Sequence, residues 1–137
     1  MQESFPRTFS SLQRVFRFVG DFLTPKGVDE AELREVELVI EEIFTNLVKY
    51  NTGGKHEIPV QLERRGNKLL IVLTDRDVER FDVTSVPAVD TQQPMSKRQP
   101  GGLGWHLVRE MSESVSYEYE NRTSTITVVK PLESWNA

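Results

Sequence analysis

The sequence contains no cysteine, and this absence excludes disulfide bonds, thiolate zinc sites and cysteine nucleophiles. Its two histidines, His56 and His106, are too few for a histidine-rich metal site. No apolar run approaches the roughly 18 residues that a membrane-spanning helix needs, and the first residues, MQESFPRTFSSLQRVF, lack the pattern of a secretory signal. We therefore expect a cytoplasmic protein that does not contact a membrane.

The chain also lacks an excess of positive charge, since 17 Lys and Arg residues stand against 21 Asp and Glu residues. The net charge of -4 argues against a surface dominated by nucleic-acid binding. A local basic cluster, Arg7, Arg14, Arg17 and Lys26, is interpreted as a solvated helix face, with a protein-binding face as the first alternative and a local nucleic-acid face as the second. With 37% hydrophobic residues in 137, we expect one globular domain, residues 1–137, with its own core.

Apolar residues at spacings of three and four predict two helices in the first half of the chain. The first predicted helix covers about 12–23. The second begins at Asp29, a residue type that caps helices well, and carries an apolar stripe along one side. It is expected to end near YNTGG, where Gly53 and Gly54 would take left-handed conformations.

The remaining chain reads as two hairpins separated by a long irregular segment and a helix. A short edge strand is also expected at 4–9, before the first helix. The long segment, about 76–102, has no hydrophobic period and is typical of a functional lid or a disordered segment. Helices that stand apart from hairpins in the sequence predict an α+β two-layer sandwich. The predicted elements after the second helix are strands over 57–65 and 68–75 turned at 66–67, a helix over 103–113, and a hairpin turned at 121–122.

The second predicted helix carries two polar residues, Glu42 and Asn46, that are four residues apart and therefore project from one face. A carboxylate there can accept a proton from a hydroxyl group, and an amide oxygen can ligate a hard cation such as Mg²⁺. The alternative is a pair of exposed polar residues on a surface helix. Their spacing alone does not decide between these interpretations.

Two further features have the chemistry to contact a nucleotide. Asp75 ends a predicted strand, where its carboxylate can accept a hydrogen bond from the amino group of a base or can cap the following turn. Gly101, Gly102 and Gly104 lead into a helix whose first N–H groups have no partner inside the helix. Such an entrance binds a phosphate in some proteins and is a loop hinge in others.

The order of these features resembles the Bergerat-type (GHKL) ATPase superfamily, which includes gyrase and the histidine kinases. The shared series is Glu-xxx-Asn on a helix, Asp at a strand end, a long lid and a Gly-Gly-Leu-Gly helix entrance. Within the superfamily, the segments EEIFTNLVKYN and GGLGWHLVREMSESVSYEYENRTSTITVV look like the anti-sigma-factor serine/threonine kinases. The resemblance covers nearly the whole chain and implies helices on one face of a mixed, largely antiparallel sheet.

The resemblance also implies a site for ATP and Mg²⁺ between the helices and the lid. Asn46 would hold Mg²⁺, and Glu42 would act as the base toward a seryl or threonyl hydroxyl of a protein substrate. Asp75 would meet the amino group of adenine. Lys49 and Arg98 are candidate phosphate contacts, with a solvated lysine and a lid arginine as the alternative. The backbone expected to hold the phosphates belongs to Gly101, Gly102, Leu103 and Gly104.

The partners implied by the resemblance are an anti-sigma-factor antagonist of the STAS type as substrate, a sigma factor to be sequestered, and a second copy of the chain, since relatives are commonly dimers. One position departs from the family pattern. Relatives usually carry Asp-x-Gly where this chain reads Asp75-Arg76-Asp77, which predicts weaker nucleotide binding or a different loop path. Two hypotheses follow: an active kinase, and a partner-binding module of the same fold in which nucleotide is absent or structural.

Overall fold

The computed structural model of the chain describes residues 1–51, 53–80 and 102–136. Residues 102–105 are described by their backbone alone. In these ranges no helix is both long enough and apolar enough to cross a membrane. The elements are strand β1 (Gln2–Phe5), helices α1 (Leu12–Leu23) and α2 (Glu30–Tyr50), strands β2 (Ile58–Arg65) and β3 (Lys68–Arg76), helix α3 (Gly102–Met111), and strands β4 (Ser114–Glu120) and β5 (Thr123–Pro131).

The five strands form one sheet in the order β1-β2-β3-β5-β4, with helices packed against it. The predicted α+β two-layer sandwich is confirmed. Every strand pairing in the described residues is antiparallel, so the expectation of a mixed sheet is wrong in this part of the chain. The reason is that β2 with β3 and β4 with β5 are hairpins, and the second hairpin joins the sheet with β5 antiparallel to β3.

The central strand β3 places one side against the helices, where Leu69, Ile71 and Leu73 are fully buried. Alternate residues of a strand point to opposite faces, which explains why the residues between them are only half-buried. Helix α2 contacts β3 and also packs against α1 and α3. Its predicted apolar stripe is confirmed, since Val36, Ile40, Ile43 and Leu47 have no exposed surface. α2 is therefore the middle helix of its layer.

Strand β1 lies at an edge of the sheet and is displaced from its predicted position. It covers Gln2–Phe5 and pairs with β2, whereas the sequence had predicted 4–9. Pro6 has no N–H to donate, so it ends the pairing, and the chain then turns through a short 3-10 segment at Phe9–Ser11. This early end of β1 places residues 6–8 beside the C-terminal end of α2 instead of in the sheet.

The N-terminal end of α2 is held by two carboxylates. Asp29 is the N-cap, as predicted, and accepts a hydrogen bond from Glu32 N at 2.8 Å. The buried Glu32 carboxylate in turn accepts hydrogen bonds from Glu133 N (2.7 Å), Ser134 N (2.6 Å) and the Ser134 hydroxyl. These contacts join the segment after β5 to the first turn of α2, a connection of 102 residues in sequence.

Replacing Glu32 with glutamine is expected to destabilise the fold by about 2 kcal/mol, because a neutral amide cannot accept from all three donors and presents its own N–H₂ to them. Urea denaturation measures the effect as a lower midpoint with an unchanged slope. Glu133→Gln is the matched control, because the Glu133 side chain is exposed and its hydrogen bond to Glu32 comes from the backbone N–H. Equal midpoints for Glu32→Gln and the wild type would contradict the prediction.

Candidate functional site

The two polar residues that the sequence placed on one face of α2 are buried. Glu42 is 6% exposed and Asn46 is 2% exposed, so the alternative of two surface residues is excluded. Both face a cavity of about 520 Å³ between α2 and the start of α1. The other residues that line this cavity are Phe9, Leu12, Glu41, Thr45 and Lys49.

Glu42 has the electrostatic character of a proton acceptor that works near neutral pH. Its Oε1 atom is buried and has no hydrogen-bond partner. Burial raises the pKa of Glu42 to about 7, the charge of Glu41 adds to the rise, and Lys49 opposes it. An unpaired carboxyl with this pKa is ionised in a large fraction of molecules at neutral pH and is still basic enough to take a proton. Lys49 itself lies with its Nζ 4.9 Å from the centre of the Tyr50 ring.

Asp75 lies at the end of β3, as predicted, and has no exposed surface. Both of its carboxylate oxygens are engaged by the chain itself. Oδ1 forms an ion pair with Arg7, and Oδ2 accepts a hydrogen bond from Asn51 Nδ2 at 2.7 Å. The predicted partner of the Asp75 carboxylate was the amino group of a base, whereas Arg7 and Asn51 bind it in the structure.

Arg7 closes the C-terminal end of α2 in addition to pairing with Asp75. Its Nη1 donates to the backbone oxygens of Leu47 (3.3 Å) and Asn51 (3.4 Å), two carbonyls at the end of the helix. A cation at this position also interacts favourably with the helix dipole. The Arg7 side chain is 13% exposed, so the prediction that it belongs to a solvated basic face is wrong.

Gly54 is needed for close approach and not for a left-handed turn. Gly53 and Gly54 do not have positive φ, so the prediction that they form a left-handed helix stop is wrong. A Cβ atom on Gly54 would lie 2.8 Å from Arg7 Nε and closer still to the guanidinium carbon. The chain after α2 therefore passes directly over the Arg7 side chain.

Asp77, at the position where relatives usually have glycine, keeps a glycine-like backbone. Its φ is 57°, in the left-handed region that Asp tolerates better than most residues. The exposed side chain accepts a hydrogen bond from Arg122 Nε at 3.0 Å and lies 3.9 Å from His56 Nε2. The hydrogen bond from Arg122 lowers the pKa of Asp77. The loop therefore begins with the turn that a glycine would make, and the added carboxylate is turned toward two basic groups.

A second cavity, of about 500 Å³, opens between the end of α2 and this loop. Tyr50 and Gly54 line one side of it, and Asp77, Arg80 and Arg122 line the other. It lies next to the buried Asp75, since Asn51 both lines the cavity and donates to the Asp75 carboxylate. The end of β3 is therefore flanked by a space large enough for a small ligand.

The glycine-rich entrance is described only from Gly102 onward. α3 begins at Gly102, one residue before the predicted start, so that Leu103 and Gly104 lie in its first turn. α3 packs against α2, which brings the two helices of the predicted site together. Arg98, Gly101 and most of the predicted lid lie outside the described residues, and the phosphate contacts assigned to the entrance stay a prediction.

The sheet covered on one side by helices, with Glu42 and Asn46 on α2 and Asp75 at the end of the central strand, defines an ATPase-type sandwich. The model of the histidine kinase-like ATPase domain family matches residues 5–130 of the sequence. The chain therefore belongs to the histidine kinase-like ATPase domain family. Membership of this family implies a site for ATP, which such domains typically bind together with Mg²⁺.

Two solved structures share the fold. A chain with the RsbU and RsbW domains of Rv1364c from Mycobacterium tuberculosis is similar over 96% of this chain and 32% of its own length, with a TM-score of 0.65 and 16% identity. The histidine kinase AdeS from Acinetobacter baumannii is similar over 97% of this chain and 68% of its own length, with a TM-score of 0.52 and 15% identity. This chain thus spans about a third of the first structure. No curated protein matches the sequence.

The cavity beside Glu42 and Asn46 has groups that suit Mg²⁺ and phosphate, whereas the surroundings of Asp75 leave no free acceptor for a base. The unpaired Glu42 oxygen, Asn46 and Lys49 share one cavity, which supplies a base, a neutral oxygen ligand for a cation and a positive charge for phosphate. At the opposite end Asp75, the expected acceptor for adenine, is already bonded to Arg7 and Asn51. Sequence reasoning missed Arg7, because its partner is 68 residues away.

Proposed function

We propose that this protein is an ATP-dependent serine/threonine kinase of the anti-sigma-factor type. The observation that carries the proposal is the buried Glu42 carboxylate, whose Oε1 has no hydrogen-bond partner, beside Asn46 in the cavity between α2 and the start of α1. A serine/threonine kinase needs a base next to its nucleotide, and a carboxylate with a pKa of about 7 suits this role. The family match and the likeness of EEIFTNLVKYN to those kinases support the same assignment.

In the proposed reaction, ATP supplies the phosphoryl group and Mg²⁺ offsets part of the phosphate charge. Asn46 Oδ1 would ligate Mg²⁺, and Lys49 would contact a phosphate oxygen. Glu42 Oε1 would hold the substrate hydroxyl and take its proton as the hydroxyl oxygen bonds to phosphorus and the bond to ADP breaks. The walls formed by Phe9 and Leu12 would limit access of water to this oxygen.

We propose as substrate an anti-sigma-factor antagonist of the STAS type. The second proposed partner is an RNA polymerase sigma factor, which the kinase sequesters when it is not bound to the antagonist. These partners rest on the resemblance of the motifs to the anti-sigma-factor kinases. The likeness to a structure that contains an RsbW domain supports a regulatory rather than a metabolic kinase, and a homodimer is part of the same proposal.

A specific observation favours the second hypothesis, a partner-binding module without transfer activity. Asp75 has no exposed surface and both of its oxygens are bonded within the chain, so adenine has no accessible acceptor there. A module of this kind would bind its regulator without phosphorylating it.

Incubation with radiolabelled Mg-ATP and a STAS-domain protein separates the two hypotheses. The kinase is expected to place label on serine or threonine, which survives acid treatment, whereas phosphohistidine does not. Titration calorimetry tests the site itself. Asn46→Ala is expected to weaken Mg-ATP binding roughly tenfold and to leave ATP binding in EDTA nearly unchanged, because it removes a metal ligand. No label on the STAS protein would overturn the kinase proposal in favour of the module.

A further inference from the structure

We propose that Arg7 competes with the nucleotide base for Asp75, so that the site opens only when the Arg7 side chain leaves. This inference rests on the proposed nucleotide site and concerns its regulation. It starts from the fact that Asp75 is fully buried, with one oxygen on Arg7 and the other on Asn51. A base can therefore reach the carboxylate only by displacing one of these two partners.

Asn51 is the partner that stays. It is the C-cap of α2, its N–H donates to Leu47 O at 3.1 Å, and its carbonyl accepts from Gly54 N at 3.0 Å. The residue is only 5% exposed, so rotating its short side chain off Asp75 would leave the amide buried without a partner. The Asn51 amide would remain on Oδ2 of Asp75 while Oδ1 changes partner.

Arg7 is the partner that can leave. It follows the short edge strand β1, and Phe5, two residues earlier, is fully buried and anchors that strand independently. Its contacts with Leu47 O and Asn51 O are long, at 3.3 and 3.4 Å, and its Nε has no hydrogen-bond partner. The long arginine side chain can swing outward by rotation about its own bonds while β1 stays in the sheet.

The base and the guanidinium can make the same kind of hydrogen bond to Oδ1, since both present N–H donors. They differ in charge, so the buried carboxylate loses its counter-ion when the neutral amino group of a base replaces Arg7. Nucleotide binding therefore works against the ion pair, and the apparent affinity equals the intrinsic affinity multiplied by the fraction of molecules in which Arg7 has left. A partner that draws residues 6–11 away from α2 would raise the affinity for nucleotide.

Gly54 and Gly53 provide a matched pair of variants that moves Arg7 without removing it. A Cβ atom on Gly54 would collide with the guanidinium, whereas one on Gly53 would meet no heavy atom within 4 Å. By calorimetry, Gly54→Ala and Arg7→Gln are both expected to bind Mg-ATP more than tenfold more tightly than the wild type, because a site that is closed in more than about 90% of molecules loses at least that factor in apparent affinity. Gly53→Ala is expected to keep the wild-type affinity.

The double variant Arg7→Gln/Gly54→Ala is expected to bind no more tightly than Arg7→Gln, because no guanidinium remains to be displaced. If Gly54→Ala and Arg7→Gln bind Mg-ATP no more tightly than the wild type, the competition is refuted while the nucleotide site stands. If no variant binds Mg-ATP, the proposed nucleotide site fails, and the competition with it.

The wild-type protein provides a measurement that does not depend on how the variants fold. The Arg7 Nε–H resonance is expected to change its shift and to exchange faster with water when Mg-ATP saturates the protein. An Arg7 signal that is unchanged at saturation would show that the guanidinium stays on Asp75 and would overturn the proposal.

Discussion

Asp75→Ala is expected to destabilise the protein by about 3–5 kcal/mol, the usual cost of removing one member of a buried ion pair. The substitution leaves the Arg7 guanidinium largely buried without its counter-ion and leaves the Asn51 amide without its acceptor. Both groups would then lack a hydrogen bond in a place that water scarcely reaches. Urea denaturation of the two proteins, analysed with a common slope, measures the difference.

A double-mutant cycle shows how much of this cost belongs to the pair itself. Arg7→Met and Asp75→Leu are each expected to be costly, and the double variant is expected to cost less than their sum by more than about 2 kcal/mol. The exposed pair Arg65 and Glu63, with side chains 67% and 45% exposed, is the matched control. Its coupling is expected to stay below about 1 kcal/mol. Additive effects of Arg7→Met and Asp75→Leu would show that the two side chains are energetically independent.

Glu42→Gln is expected to slow phosphoryl transfer by roughly 10² to 10⁴, the range for removal of a general base, and to leave Mg-ATP binding intact. The wild-type rate is expected to rise with pH through about 7, because Glu42 accepts a proton only when it is ionised and its pKa is about 7. Glu37→Gln is the control, because Glu37 lies on the same helix but does not line the cavity that Glu42 and Asn46 face. A normal rate in Glu42→Gln would remove Glu42 from the proposed role.

The same substitution is expected to stabilise the fold at alkaline pH. The pKa of Glu42 rises from 4.5 to about 7 on folding, so its contribution to stability is complete below about 4.5 and is lost as pH rises through about 7. At pH 8 the wild type buries an ionised carboxylate, and Glu42→Gln is expected to be more stable by about 3 kcal/mol. At pH 4 the two proteins are expected to be alike. Denaturation midpoints at both pH values measure the difference, and parallel pH profiles would contradict it.

The elements of the fold could be predicted because each depends on local sequence. The apolar stripe of α2, its cap at Asp29 and the turn at Asn121 and Arg122 all follow from neighbouring residues, and all three are confirmed. The edge strand was misplaced for a local reason as well, since Pro6 ends it early. The predicted bounds of this strand failed because strand-forming residues and a proline stand next to each other there.

The surroundings of Asp75 could not be predicted, because they depend on which distant residues meet. The sequence shows that Arg7, Asn51 and Asp75 exist, but nothing local connects Arg7 to a carboxylate 68 residues later. Gly54 was assigned the commonest role of a glycine after a helix, a left-handed turn, whereas its function is to leave room for Arg7. Asp77 shows the opposite case, in which a non-glycine residue takes a left-handed conformation of the kind that favours glycine.

The contacts at the two ends of α2 have a mechanical consequence. A helix of 21 residues is a rod of about 30 Å, and most helices of globular proteins are free to fray at their ends. Here Glu32 ties one end to residues 133–134, and Arg7 ties the other to residues that precede α1. The rod is clamped at both ends, with Glu42 and Asn46 between the clamps. Release of Arg7 would loosen one clamp alone, so the C-terminal turn of α2 would fray while the end held by Glu32 stays fixed.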